Sequence, residues 1–499
     1  MQSGPDPEGT PESGGGRASA LQRRARVAVL VLVARTVGHQ LVVLGGQVYL
    51  ARVLGPAEFG VFWIVQFALA FFTIFGDAGL GAALIQKREA PTQRELSTVW
   101  WTQVGLSAAV VAIVFATADQ VMRIWPDLPA VAPWLLRVMS IELLLTVLRV
   151  VPSILMEREM QFGKLSVVEV VMTLGFYVSA VALAAAGYGV TALVTAVLVQ
   201  GSLGVVLVYL ARPWRPSFAF DTVALGPMLR FGAIYQTKGV VGFLNGAVVP
   251  IYGGGVLGKY AFGLVTWSQN TAFFPIKLVE IVGRVNFPLF SRLQDDRRAF
   301  AESLERSIQL CAIATLFFVA LVAGIGPQLV AVIWGDKWMP AVPTLYVYAA
   351  AISIGFLSPV VAGAFDALGR PQVMTRLSIA WTAFNWIAVV IALRIAPTPM
   401  AFAVGYCLHV VIGNAIVVLY VRRLLPDARL WPRVRASLVA AVAMALLVRA
   451  THPAAWVTGP FTLIVAVLGA VASFALVVLL VDRSAVSEVR TAVERLRRR

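Results

Sequence analysis

Hydrophobic residues fill the chain in long runs that short polar segments separate. Each run has about 20 residues, enough for an α-helix to cross a hydrocarbon core of ~30 Å. The pattern predicts fourteen transmembrane helices, at about residues 27–50, 60–84, 99–118, 131–155, 165–186, 189–210, 230–252, 259–283, 307–325, 343–367, 374–395, 399–420, 434–449 and 459–481. The first run has no small-residue cleavage site and contains Arg35, His39 and Gln40, so we interpret it as a span and not as a cleaved signal.

The composition supports a membrane protein. Of 499 residues, 59% are hydrophobic and 13% are charged, whereas soluble domains are about 45–50% apolar and about 25% charged. The mean hydropathy is +0.82. The sequence therefore predicts an all-α integral membrane protein and excludes an ordinary soluble domain.

The basic residues predict the orientation of the helices. Most Lys and Arg lie in the two tails and in every second connecting loop, and this bias marks the cytoplasmic side. We expect a multi-pass protein of the cytoplasmic (inner) membrane of a prokaryote, with both termini in the cytoplasm. The net charge of +16 then reports topology and contact with anionic lipids, and we find no nucleic-acid module.

One short sequence frame occurs twice. VLGPAEFG at 53–60 and VLGKYAFG at 256–263 share the pattern V-L-G-x-x-x-F-G, 203 residues apart. The same offset relates Arg35 to Lys238 and Asp77 to Glu280. Both frames fall in predicted outward turns, which indicates a duplication into two six-helix lobes that run the same way across the membrane as parallel repeats.

The repeat gives a division of the chain into five segments. The tails are a disordered cytoplasmic segment and a basic amphipathic one, and two C-terminal helices follow the lobes. The segments are the first tail 1–26, the N-lobe 27–222 with helices 1–6, the C-lobe 223–424 with helices 7–12, helices 13–14 at 425–482, and the last tail 483–499.

Four stretches resemble one family. LARVLGPAEFGVFWIVQFALAFFTIFGDAGLGAALIQ is similar to the second-helix region of polysaccharide flippases of the Wzx type, in the multidrug/oligosaccharidyl-lipid/polysaccharide exporter superfamily. MEREMQFGKLSVVEVV, FPIKLVEIVGRVNFPLFSRLQDD and WGDKWMPAVPTL are similar to its turn before helix 5, its helix 8 end and its turn before helix 10. The resemblance implies two lobes around a central cavity, and alternating access that moves a lipid-linked oligosaccharide to the outer leaflet.

The resemblance gives a functional expectation and its rivals. We expect a transporter, not an enzyme, that flips a polyprenyl-pyrophosphate-linked oligosaccharide for exopolysaccharide, O-antigen or capsule assembly. Its partners would be an undecaprenyl-pyrophosphate-type lipid, membrane lipids, and a polysaccharide polymerase and glycosyltransferases. The alternatives are a lipid II flippase or a multidrug/cation antiporter of the same superfamily, and more remotely a membrane glycosyltransferase or polymerase. Basic residues in the spans favour an anionic cargo, and the short outward loops disfavour an enzyme.

Five cations lie inside predicted spans, where an isolated charge is costly. They are Arg35, Arg137, Arg149, Lys238 and Lys277. At ~1.5 Å per residue, all but Arg137 lie at a similar depth, about 10 Å from the cytoplasmic side. We hypothesise a ring of cations that receives the pyrophosphate; the alternative is that each side chain extends to the interface.

Three carboxylates accompany these cations. Glu280 follows Lys277 at helical spacing and would pair with it, or else take up a coupling proton or sodium ion. Asp77, among small residues, would hydrogen-bond within a broken helix or serve coupling. Glu142 precedes Arg149 by seven residues, a rise of about 10 Å, which predicts no direct pair. Apart from a coupling ion we expect no cofactor, and no spacing indicates a metal site.

Overall fold

The structure, a computed structural model, describes residues 42–481, and in that range it contains helices and no β-strand. The helices are α1 (Val42–Val53), α2 (Pro56–Asp77), α3 (Leu80–Gln86), α4 (Gln93–Met122), α5 (Ala132–Arg158), α6 (Phe162–Ala185), α7 (Val190–Ala211), α8 (Thr222–Val248), α9 (Gly254–Ala272), α10 (Ile276–Leu293), α11 (Arg297–Ile333), α12 (Val342–Gly355), α13 (Leu357–Ala367), α14 (Pro371–Ile395), α15 (Pro399–Leu424), α16 (Leu430–Ala450), α17 (Pro453–Trp456) and α18 (Pro460–Val481). A π-helical turn, Val249–Gly253, joins α8 to α9, and a 3-10 turn, Asp336–Ala341, precedes α12.

The prediction of an all-helical, multi-pass membrane protein is confirmed. Twelve helical runs between residues 42 and 481 are long and apolar enough to cross a membrane. Every predicted span from the second onward falls on helix, whereas only the last part of the first predicted span lies within the described residues. The count of fourteen, the six-helix repeats and the five segment boundaries stay predictions.

The run Thr222–Ala272 shows why a count by length is ambiguous. It has 51 residues, which at ~1.5 Å each would be about 77 Å long and more than twice the thickness of a bilayer core. Gly258 interrupts it with φ of 76°, a left-handed conformation that glycine adopts without the clash of a Cβ. The run therefore turns at Gly258, inside the second copy of the V-L-G-x-x-x-F-G frame.

Three predicted single spans are each broken into two helices, and the span at 343–367 breaks at Phe356, between α12 and α13. In the predicted span 60–84, the helix breaks between α2 and α3 at Ala78 and Gly79, whose φ angles are 48° and 67°. The span at 259–283 breaks at Phe273–Pro275, between α9 and α10. Proline lacks an N–H and clashes with the preceding turn, so a helix does not continue through it without a break or kink.

The apolar cores follow the two halves of the sequence. One buried cluster consists of residues between Leu50 and Ala196, with Phe262 as the single member from the second half. Two other clusters consist almost wholly of residues after 247, with Ala51 as the exception. Each half thus has its own packing, and the exceptions lie at the turns that carry the repeated frame.

Candidate functional site

The two copies of the repeated frame cross each other at a pair of glycines. A methyl group built on Gly60 would lie 2.8 Å from the carbonyl carbon of Lys259, and one on Gly263 would lie 2.8 Å from that of Pro56. The offset of 203 residues relates Gly60 to Gly263 and Pro56 to Lys259, so the contact is reciprocal. Only glycine lets α2 and α9 approach this closely. We name this crossing the outer seam, because the charge pattern assigns these turns to the outside.

The aromatic residue of each frame packs into the opposite half. Phe262 is 2% exposed and belongs to the buried cluster of the first half. Phe59, its counterpart, packs edge-on against Trp338 of the second half, with ring centroids 5.6 Å apart. The outer seam is thus an exchange of equivalent side chains, as in a two-fold interface where residue i contacts j and j contacts i.

Hydrogen bonds from the second frame reach the α4–α5 loop of the first half. Asp127 accepts from the backbone N–H of Lys259 at 2.9 Å and pairs with its Nζ at 3.3 Å. The Lys259 N–H holds the pKa of Asp127 below its ordinary value of 3.8. The buried indole of Trp125 donates to the Pro250 carbonyl at 2.6 Å.

Hydrogen bonds from the end of α1 reach the second half in the same way. Arg52 Nε donates to the Ile333 carbonyl at 2.8 Å, and Lys337 Nζ donates back to the Arg52 carbonyl at 2.7 Å. The fully buried Trp338 donates its indole N–H to the Ala51 carbonyl at 2.8 Å. Both sides of the outer seam are therefore fastened by a tryptophan and a charged side chain.

A second close approach joins the two halves at the break between α2 and α3. A methyl group built on Gly79 would lie 2.6 Å from the carbonyl oxygen of Gly232 in α8, and one on Gly232 would lie 3.0 Å from the Gly79 carbonyl carbon. Gly79 also has a positive φ. We name this contact the inner seam, because the charge pattern places it toward the cytoplasm. The close contacts at both glycine pairs mean that the outer and inner seams are both closed in this structure.

The prediction that Glu142 and Arg149 are too far apart to pair is wrong. Arg149 Nη2 lies 3.4 Å from Glu142 Oε1, and Thr146 lies between them, bonded to Glu142 at 3.0 Å and to Arg149 at 3.1 Å. Helical side chains lean toward the N-terminus, so Arg149 reaches back over its own preceding turns toward Glu142. The estimate from backbone rise left out this reach.

The Glu142–Arg149 pair faces the interior of the first half. A methyl group built on Gly201 would lie 2.8 Å from the Glu142 carboxyl carbon, and one on Gly204 would lie 3.1 Å from Arg149 Nη1. Arg149 also contacts the Met172 sulfur at 3.4 Å. The glycines of α7 thus make room for a pair that is enclosed among α5, α6 and α7.

The remaining candidates lie apart from this pair. Arg137 pairs with Asp119 and donates to the Phe115 carbonyl at 3.0 Å, so it joins α5 to α4. Lys277 and Glu280 are both exposed near the start of α10, and the ion pairs found between residues 42 and 481 do not join them. Arg35 lies outside the described residues, as do the side chains of Lys238 and Asp77. The ring of cations stays a prediction.

Sequence reasoning missed the turns that fasten the outer seam. Trp125-Pro126-Asp127 and Trp334-Gly335-Asp336 share the pattern W-x-D just after a span. Pro-Ala-Val follows the first copy after one residue and the second copy after three. This second repeat has a slightly longer offset than the first, so an alignment at a fixed 203 residues does not match it. A search that allowed short insertions would have found it.

The sequence profile of a family described as polysaccharide biosynthesis protein matches residues 49–343. Among the curated relatives, the lipopolysaccharide biosynthesis protein WzxC of Escherichia coli (strain K12) is 26% identical over 304 residues, which are 59% of this chain and 60% of WzxC. The teichuronic acid biosynthesis protein TuaB of Bacillus subtilis (strain 168) is 26% identical over 285 residues, 56% of this chain and 58% of TuaB. The match thus spans somewhat more than half of each relative.

Solved structures share the fold. The lipid II flippase MurJ in an inward closed conformation superposes with a TM-score of 0.73 at 12% identity, over 92% of this chain and 100% of MurJ. An inward-facing multidrug resistance MATE family transporter of the MOP superfamily gives a TM-score of 0.59 at 13% identity, over 77% and 96% of the two chains. Identities this low establish the fold alone, whereas the family profile covers more than half of the sequence. This chain therefore belongs to the family of polysaccharide biosynthesis proteins.

Proposed function

We propose that this protein flips a polyprenyl-pyrophosphate-linked oligosaccharide from the inner to the outer leaflet of a bacterial cytoplasmic membrane, by alternating access between its two halves. The match of the family profile over residues 49–343 carries the proposal. A relative named succinoglycan biosynthesis transport protein ExoT, from Rhizobium meliloti (strain 1021), supports transport as the activity; it is 25% identical over 62% of each chain. The proposal makes the protein a transporter and not an enzyme.

The reciprocal seams support alternating access. An alternating transporter needs two contacts between its halves that open in turn, one toward each side of the membrane. The outer seam at Gly60 and Gly263 and the inner seam at Gly79 and Gly232 lie at opposite ends of α2. Opening either seam alone would expose the space between the halves to one side of the membrane.

The cargo-binding residues that we propose are Arg35 and Lys238, with Lys277 as a third cation. Arg149 and Arg137 are each paired with a carboxylate, which reduces the charge available to a pyrophosphate. The repeat relates Arg35 to Lys238 on opposite halves, so a diphosphate could lie between them. Arginine would give a bidentate contact and lysine a point charge.

The leaflet in which the cargo accumulates tests the proposal. Cells that lack this protein should retain the lipid-linked repeat unit on the cytoplasmic side, where sugar-modifying enzymes added outside do not reach it. Normal modification from outside in the deletion strain would exclude the flippase. Loss of external lipid II with normal export of the oligosaccharide would favour the lipid II flippase instead.

Charge substitutions test the proposed binding residues. Arg35→Gln and Lys238→Gln should reach the membrane in normal amounts and export little polysaccharide. Arg35→Lys and Lys238→Arg should retain part of the export, because charge remains while geometry changes. Arg123→Gln is the matched control, since Arg123 is exposed in the α4–α5 loop. Normal export from both neutral variants would remove these residues from the cargo site.

Reporter fusions test the orientation. With both termini in the cytoplasm, a reporter fused after Asp295 should be cytoplasmic and one fused after Val330 external. The opposite result at one position would contradict the predicted count of spans and the repeat, and the opposite result at both would invert the assignment of the outer and inner seams.

A further inference from the structure

The short helix α3 lies between the two halves of the molecule. Leu80 and Leu84 of α3 are fully buried in one apolar cluster with residues of α4 and α5. Leu225 and Met228 of α8, which belong to the second half, pack against the same cluster. Gly79, the residue that precedes α3, is the first-half member of the inner seam. The position of α3 therefore determines whether the inner seam is closed.

Helix α3 does not hold this position by its own helical structure. It has seven residues, about 10 Å of helix, and helices this short are marginal unless other groups stabilise them. The two residues before it, Ala78 and Gly79, have positive φ angles, so α3 does not continue the line of α2. The last carbonyl groups of an α-helix have no partner within the helix. Contacts from another element must therefore fix this end of α3.

Arg158, at the end of α5, supplies those contacts. Its Nη1 donates to the Leu84 and Lys87 carbonyls, at 2.7 Å each. Its Nη2 donates to the Glu89 carbonyl at 2.7 Å. One guanidinium thus binds both the C-terminal end of α3 and the loop that follows it. A cation at a helix C-terminus is also favoured by the helix dipole.

The charge of Arg158 is not offset by a carboxylate. Arg158 forms none of the ion pairs found between residues 42 and 481. Glu159, the next residue, pairs instead with Arg212 at 2.7 Å. Glu95, at the start of α4, pairs with Lys87 at 2.6 Å. The guanidinium of Arg158 is therefore left to the backbone carbonyls at the end of α3.

We propose that Arg158 is a positioning residue for the inner seam. By binding the end of α3, it keeps α3 against α5, where Gly79 meets Gly232 of α8. Without this hold, α3 moves away from α5 and the inner seam opens. The effect on closure does not depend on the transported cargo, and only the link from closure to export rests on the proposed function.

Spin-label distances in the purified full-length protein, without cargo, test this role. Labels at Lys164→Cys, on the exposed first turn of α6, and at Gln294→Cys, at the exposed end of α10, report the separation of the two halves on the side of the inner seam. The background lacks Cys311 and Cys407. Arg158→Gln should lower the ratio of closed to open inner seams about tenfold, since hydrogen bonds from a charged donor are lost. Arg158→Lys should retain part of the closure, because the charge remains and the fork of donors does not.

The matched control is Arg88→Gln, which removes the same charge from an exposed position in the loop after α3. Its distances should equal those of the parent. Labels at Ile124→Cys and Gly255→Cys, across the outer seam, should keep the parent distance in both Arg158 variants, which separates opening of the inner seam from general unfolding.

Parent-like inner distances in the Arg158 variants would overturn the positioning role, whatever the variants export. If Arg158→Gln does not give a monodisperse protein, Arg158→Lys decides by the same criterion. Longer inner distances with normal export would support the positioning role and contradict the proposed alternation of the seams during transport. The two ideas therefore fail separately.

Discussion

The reciprocal contacts of the outer seam predict that substitutions of Gly60 and Gly263 have the same effect on its closure. Gly60→Ala adds a methyl group 2.8 Å from the carbonyl carbon of Lys259, and Gly263→Ala adds one 2.8 Å from that of Pro56. Carbon atoms in contact ordinarily lie about 3.5–4.0 Å apart. The carbonyl oxygens of Lys259 and Pro56 lie closer still to these methyl positions, so either substitution must push α2 and α9 apart by more than about 1 Å at this point.

The expected cost follows from overpacking. Inserting a methyl group into a well-packed contact costs about 1–3 kcal/mol, and the clash here is with backbone, which moves less readily than a side-chain tip. We expect each single substitution to weaken the closed outer seam by about 2 kcal/mol, roughly a thirtyfold change in the ratio of closed to open molecules. The double variant should cost less than the sum, because one displacement of the helices relieves both clashes.

Cysteine cross-linking measures this directly. A methyl group on Gly255 would lie 3.7 Å from the Ile124 carbonyl oxygen, so the two backbones are adjacent across the outer seam. Ile124→Cys with Gly255→Cys therefore provides two thiols that a short bifunctional maleimide can join. The background lacks both native cysteines, Cys311 and Cys407. Cross-linking should be fast in the parent and slow in Gly60→Ala and Gly263→Ala.

The control uses a glycine in open space. Gly105 lies inside α4 with no neighbouring atom within 4 Å of a built methyl group, so Gly105→Ala should leave cross-linking unchanged and slightly stabilise the helix. If Gly60→Ala and Gly263→Ala cross-link like Gly105→Ala, or if one has a large effect and the other has none, the two glycines are not equivalent at this crossing.

Three further predictions concern charged groups. Arg149→Met should lower the stability by about 1–2 kcal/mol and the double variant with Glu142→Gln by less, because breaking a partly buried pair leaves one charge uncompensated. Thermal unfolding of the four proteins measures this, and additive losses would contradict the pairing at 3.4 Å. Buried Glu305 accepts a hydrogen bond from the Arg429 N–H at 2.6 Å. Glu305→Gln should therefore lower the free energy of unfolding by about 2 kcal/mol and speed proteolysis of the connection between α15 and α16. Unchanged proteolysis would mean that this hydrogen bond does not hold the connection. A carboxyl whose pKa is lowered in the folded state stabilises above its ordinary pKa and loses that effect as the pH falls through the folded value. The distance between spin labels attached at neutral pH to Ile124→Cys and Gly255→Cys should therefore stay constant from about pH 7 to 5 and should lengthen only below the ordinary aspartate pKa of 3.8, since the pKa of Asp127 lies lower still. A change near pH 6 would point to another group.

Hydrophobic periodicity was sufficient to place the helices but not their interruptions. A run of apolar residues reports that a segment is in the membrane, and the helix follows because lipid offers no partner for backbone groups. The break at Phe273–Pro275 carries a local signal in the proline. The break at Ala78 and Gly79 carries only a weak one, since small residues also occur within continuous helices.

The candidate site was less predictable, because partners come from other helices. Nothing local in the sequence near Arg137 points to Asp119, which is 18 residues earlier on α4. Intrahelical pairs are easier to predict, yet the Glu142–Arg149 pair was missed because its spacing exceeds the usual i, i+4 separation and Thr146 bridges it. Charges in spans are visible in the sequence, but their partners depend on tertiary structure.

The repeat itself has a physical reason in the outer seam. An isologous contact places each copy of the frame against the other, so both copies need glycine where the helices cross and an aromatic residue where each enters the opposite half. The exposed Lys259–Asp127 pair adds at most about 1 kcal/mol to this contact, whereas burying a phenylalanine side chain contributes about 2–3 kcal/mol. The closed outer seam is therefore held mainly by glycine packing and by Phe262 in the first-half core. Opening it must move these groups together, because Gly60 and Gly263 lie on the same crossing.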